Sequence, residues 1–130
     1  MIALQAFSSL ALMGLIWCVQ LVHYPMFERL DRARFGEHLR WHGNAISYLV
    51  GPLMIVELIC AAWLAHRCPL GLALVVAIWL CTGLIQVPLH NRLCQGYEPR
   101  VLARLIQSNW IRTALWTARG ILSLQLLREP

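Results

Sequence analysis

The sequence predicts an all-α integral membrane protein: a bundle of four transmembrane helices with a juxtamembrane amphipathic segment. Three observations carry this. Of 130 residues, 59% are hydrophobic and only 13% charged, about half the charged share of an ordinary soluble domain. A soluble chain this short leaves about a third of its surface in water and could not hide so much apolar area. Four apolar runs each reach the ~20 residues that a helix needs to cross the hydrocarbon. Charges inside those runs are rare, being Glu57 in the second and Arg112 and Arg119 in the fourth. In lipid, backbone groups must be satisfied within the chain, so runs of this length fold as helices.

The first run covers residues 2–27 and contains no Asp, Glu or Arg. It lacks a basic n-region and is longer than a usual signal core, so it is read as a span and not as a cleaved leader. The second covers 44–65, the third 69–89 and the fourth 105–127, all within one domain, 1–130. Residues 28–43 are charged with helical periodicity, and they either lie on the membrane surface or extend the second span. Gly43 followed by Asn44 reads as a helix stop and then an N-cap. Residues 66–68 are too few for anything but an antiparallel hairpin. Residues 90–104 hold Gly96 and Pro99 and read as a loop.

The net charge of +5 comes from arginine alone, since no lysine occurs. No basic stripe or aromatic stacking platform accompanies it, so nucleic acid is not an expected partner. Anionic lipid headgroups account for the charge. Arg29, Arg32, Arg34, Arg40, Arg92, Arg100 and Arg104 fall on one side of the four-span topology, against Arg67 and Arg128 on the other. Positive charge collects on the cytoplasmic side. Both termini are therefore expected outside the cytoplasm, in an inner (plasma) membrane. The five cysteines form no C-x-x-C pair and imply neither a disulfide framework nor a thiol redox motif.

Charges placed in hydrocarbon mark function or a buried pair. Glu57 and Arg119 lie at similar depths, roughly 20 Å from the arginine-rich end at 1.5 Å per residue. That match predicts an ion pair, with a substrate or proton role for one of them as the alternative. Asn109, Arg112, Trp116 and Arg119 follow an i, i+3, i+7, i+10 pattern, one face of a helix. Gln86 and His90 close the third run on the same side, and His23 closes the first. These residues describe a polar cavity open toward the cytoplasmic leaflet, or else interhelical hydrogen bonding with no ligand. His38 and His42 share a helical face with Asp31, a set that could hold iron or zinc; a solvated interfacial face or a pH sensor are the other readings.

The string Val87-Pro88-Leu89-His90-Asn91-Arg92-Leu93, followed by Asn109-Trp110-Ile111-Arg112-Thr113, resembles the anthrone-oxygenase-like family of small membrane proteins. That family shows V-P-L-N-N-x-L and then N-H-x-R-T. The resemblance covers the C-terminal third. It implies a four-helix membrane fold, and oxidation of polycyclic anthrones to anthraquinones without a recognised cofactor. Carried over by position, Asn91, Asn109 and Arg112 would line the site. His90 stands where the family has asparagine, and Trp110 where it has histidine.

The expected function is therefore oxidation of a small hydrophobic or aromatic molecule in a cytoplasm-facing pocket. His90, Asn109 and Arg112 would do the chemistry, and His23, Gln86, Asn91 and Trp116 would bind the substrate. A non-enzyme is the alternative: an accessory subunit of a larger membrane complex, an oligomeric transporter component, or a metal- or haem-binding module using His23, His38, His42 and His90.

Overall fold

Prolines and short polar connections divide the chain into four long helices: α1 (Ile2–Phe27), α2 (Arg32–Trp63), α3 (Pro69–Leu93) and α4 (Pro99–Arg128). The computed structural model describes residues 1–128. Glu129 and Pro130, the last two residues of the domain read from the sequence, lie outside the described residues. No strand occurs among the described residues. Helix α1 packs on α2 and α4, and α3 packs on the same two, so the four form an up-down-up-down ring. Three helices, α1 to α3, are long and apolar enough to cross a membrane.

Helix α4 has the length but not the composition, because it carries five arginines, of which the two in its middle, Arg112 and Arg119, point inward. Arg112, Arg119, Asn109, Thr113 and Ser123 are buried, while Trp110, Ile111, Ile121 and Leu124 are exposed. The same inversion runs through the molecule. Gln5, Ser8, Ser9, Gln20, Glu57 and Gln86 are buried, whereas Phe7, Leu21, Val22, Ile55, Ile59, Leu80 and Leu84 face outward. Water would penalise that surface, and lipid does not.

The boundary expected at Gly43 and Asn44 is corrected. One 3₁₀ turn, Arg32–Arg34, is capped by the Asp31 carboxylate, which accepts from the Ala33 N–H at 3.1 Å. An unbroken α-helix then runs from Phe35 to Trp63. Gly43 serves close approach here: a Cβ on it would come within 2.7 Å of His90 Cε1. The charged segment thus extends the second span. Its 29 residues are about 44 Å long, so roughly two and a half turns exceed a hydrocarbon core of ~30 Å. The loop expected at 90–104 is also shorter, since α3 continues to Leu93 and α4 starts at Pro99. Proline suits a first helical turn because it has no N–H to satisfy there.

Two turns widen to π geometry, Val19–His23 in α1 and Thr82–Gln86 in α3. In each, the N–H after the turn reaches back five residues, Tyr24 to the Val19 carbonyl and Val87 to the Thr82 carbonyl. A proline follows immediately, Pro25 and Pro88. In a regular helix its ring would press on the carbonyl four residues back, and the wider turn relieves that clash. The surrounding residues recur as well: Cys18, Leu21 and Pro25 match Cys81, Leu84 and Pro88 in spacing.

Candidate functional site: a cavity beside an unpaired arginine

Two buried arginines on α4 have different surroundings. Arg119, 1% exposed, lies with its Nε 3.7 Å from Glu57 Oε1, itself 1% exposed. Glu57 also accepts from the Ser9 hydroxyl at 2.7 Å and from the Trp116 indole N–H at 3.1 Å. Gly71 leaves the guanidinium room, since a Cβ there would sit 3.1 Å from an Arg119 Nη1. A charge pair with two further hydrogen bonds satisfies the carboxylate in a dry interior.

Arg112 has no such partner. Among the described residues no carboxylate stands within ion-pair distance of it. It is 8% exposed, and its Nε makes no hydrogen bond. Its guanidinium sits 5.1 Å from the Trp116 ring, in the range of a cation–π contact, and within hydrogen-bonding reach of the neutral Tyr24 hydroxyl. Trp116 therefore stands between the two arginines. Its face meets Arg112 and its N–H is tied to Glu57.

Arg112 lines a cavity of about 680 Å³. Its apolar lining includes Leu12, Ile16, Met54, Trp79 and Trp116. Its polar lining includes Tyr24, His42, Asn44, Ser47, Gln86, His90 and Asn91. Pockets of 300–1,000 Å³ with apolar walls and a few convergent polar groups suit small organic ligands. His90 reaches the cavity from α3 because Gly43 lets its ring lie against α2. Its Nε2 is buried without a hydrogen-bond partner, and its Nδ1 lies 3.6 Å from the Cys94 sulfur. His42 stands edge-on to His23 and Phe27, with ring centroids 5.4 and 5.0 Å away, and 6.4 Å from the His90 ring. Arg40 closes this end by donating to the Cys94 carbonyl.

Of the residues expected in the site, Gln86, His90, Asn91, Arg112 and Trp116 line the cavity. His23 stands behind His42. Asn109 is not at the cavity wall: its amide donates to Gln20 Oε1 at 2.8 Å, and Gln20 in turn donates to the Ile106 carbonyl. Both are fully inside the α1–α4 contact, where Asn109 tethers the helices. Gln86 is anchored similarly, donating to Ser108 at 2.8 Å while its Oε1 lacks a partner.

The expected metal set Asp31, His38 and His42 is not brought together. Asp31 caps the 3₁₀ turn, whereas His42 points into the bundle. Among the described residues no group of three or more His, Cys, Asp and Glu side chains is placed to hold a metal ion. Tyr24, Arg40, Asn44 and Ser47 line the cavity without having been singled out in the sequence. Tyr24 had a signal, because the proline after it marks a disturbed turn. The others lie on the α2 segment that a break at Gly43 would have separated. The chain matches no protein-family model, no curated protein and no solved structure.

Proposed function

We propose that this chain is an inner-membrane enzyme that oxidises a small hydrophobic or aromatic molecule, holding an oxygen of the substrate against Arg112. The observation that carries the reading is a buried guanidinium with no carboxylate, facing a cavity with apolar walls. Such a charge is costly unless something anionic, or becoming anionic, completes it. A methylene activated by a neighbouring carbonyl would lose a proton to His90 or His42, leaving an enolate whose oxygen rests on Arg112. Preorganised donors aimed at developing charge act strongly in a dry site. Electrons then pass to dioxygen, so that methylene plus dioxygen yields carbonyl plus one water. The oxidative step is supported by the resemblance to anthrone-oxygenase-like proteins in Val87–Leu93 and Asn109–Thr113. The arginine distribution supports placing the His42–His90 end toward the cytoplasm, with both termini opposite.

The test is turnover of a lipophilic anthrone by detergent-purified protein, followed by absorbance. Arg112→Lys keeps the charge but loses the planar fork, and should lower turnover about 10²-fold with folding intact. His90→Ala should lower it by a similar factor. Unchanged turnover in both variants would sink the catalytic reading and leave the pocket as a binding module in a larger membrane assembly.

A further inference from the structure

The cavity has an opening whose framing residues say what passes through it. Helices α2 and α3 meet closely at one end, where Gly36 lies on the Cys94 carbonyl and Gly43 on His90. They are joined at the other by the short 64–68 connection. Between these ends the cavity is lined from both helices, by Ser47, Val50, Gly51 and Met54 on α2 and by Trp79, Thr82 and Val87 on α3. Ser47 and Val87 are both lining and exposed, so the opening lies on the side of the bundle between α2 and α3. Both helices are irregular here. Pro52 removes a backbone donor from α2, and the Thr82–Gln86 π turn widens α3. The outward residues on the same stretches of α2 and α3 include Tyr48 at 84% exposure, Leu84 at 73%, and Leu49, Ile55 and Leu80. An opening to water would not be framed by such residues; one to hydrocarbon would.

We infer that the cavity is loaded sideways from the bilayer, through a window between α2 and α3, by a lipophilic molecule carrying one anionic oxygen. The apolar frame selects a molecule already dissolved in lipid. Inside, the unpaired Arg112 takes the oxygen while Leu12, Ile16, Met54 and Trp79 take the body. The inference shares with the proposed function only the contact at Arg112, and needs no oxidation.

Gly51 supplies the test. It lines the cavity from α2 between Ser47 and Met54, and a Cβ added there meets nothing within 4 Å. Gly51→Phe therefore starts its side chain from open space and sets a ring in the window, and phenylalanine also favours helix more than glycine does. Gly14→Phe is the control, on an exposed α1 position away from the α2–α3 side, where a Cβ likewise meets nothing. The probe is 1-pyrenebutyrate delivered in neutral phosphatidylcholine vesicles to the protein in nanodiscs, with tryptophan-to-pyrene energy transfer as the signal. Uncharged 1-pyrenebutanol is its match. Gly51→Phe should slow both uptake and release at least tenfold, leaving the equilibrium affinity within about threefold, while Gly14→Phe behaves as the unaltered chain. Arg112→Gln should weaken pyrenebutyrate at least tenfold and pyrenebutanol little. Uptake by Gly51→Phe at the unaltered rate overturns the window, as does slower uptake without slower release, which is lost affinity and not a blocked path. Equal binding of the two probes overturns the anionic oxygen. Uptake through the window without turnover of any anthrone would leave this inference standing and remove the oxidation.

Discussion

Replacing Glu57 with glutamine removes one negative charge and little else. Arg119 would then remain as a cation at 1% exposure, 3.7 Å from an uncharged amide. Opposite charges 4 Å apart attract by about 4 kcal/mol at an effective dielectric of 20, and removing one member of a buried pair costs about 3–5 kcal/mol. The glutamine would also present an NH₂ to two groups that now donate, the Ser9 hydroxyl and the Trp116 indole. Serine can turn to accept, but indole cannot. The single change should therefore destabilise the bundle by about 3–5 kcal/mol. In Glu57→Gln with Arg119→Gln no charge is left alone, and on the order of 2 kcal/mol should return as coupling. Reversible unfolding of the protein in mixed micelles measures both, with Arg119→Gln completing the cycle. If the two single effects add to within about 0.5 kcal/mol, the pair does not act as one unit and the argument from matched burial fails.

Close approaches at glycines give a graded series. Gly36→Ala sets a Cβ against the Cys94 carbonyl, which cannot move without moving the α3–α4 connection; it should cost about 1–3 kcal/mol. Gly120→Ala meets the sulfur of Met13 at 2.6 Å, the end of a flexible side chain, and should cost under about 1 kcal/mol. Equal thermal stability of the two variants would contradict the assignment. Gly43→Ala should displace His90, and a turnover loss matching that of His90→Ala would show it. For orientation, reporter fusions at either terminus should be active outside the cytoplasm only, and cytoplasmic activity at Pro130 would reverse the topology.

Why some of this was legible in the sequence is a matter of periodicity. The inward stripe Asn109, Arg112, Trp116 and Arg119 could be seen because helical spacing alone decides which side chains share a face. Equal depth brought Glu57 and Arg119 together because both helices start at the same end of the bundle. What escaped depends on contact between helices. Gly43 looked like a stop because composition cannot distinguish a glycine that ends a helix from one that another helix leans on. Asn109 was expected at the cavity wall because the spacing gives its face but not its neighbour; Gln20 reaches it from 89 residues away. Asp31 and His42 shared a projected stripe only while the segment was drawn as one helix. The 3₁₀ turn at Arg32–Arg34 changes the winding and parts them.

The π turns also set a counting rule. Each inserts roughly one residue into its helix, and one residue is about 100° of rotation. Everything after Val19–His23 in α1 and after Thr82–Gln86 in α3 is phased by that extra residue, including Tyr24 and Phe27 in the first and His90 in the second. Deleting Leu21 or Leu84, both outward-facing, would shorten the chain where it touches nothing inside. It would also swing the following side chains toward lipid. The cavity's polar lining thus depends on two residues that take no part in it.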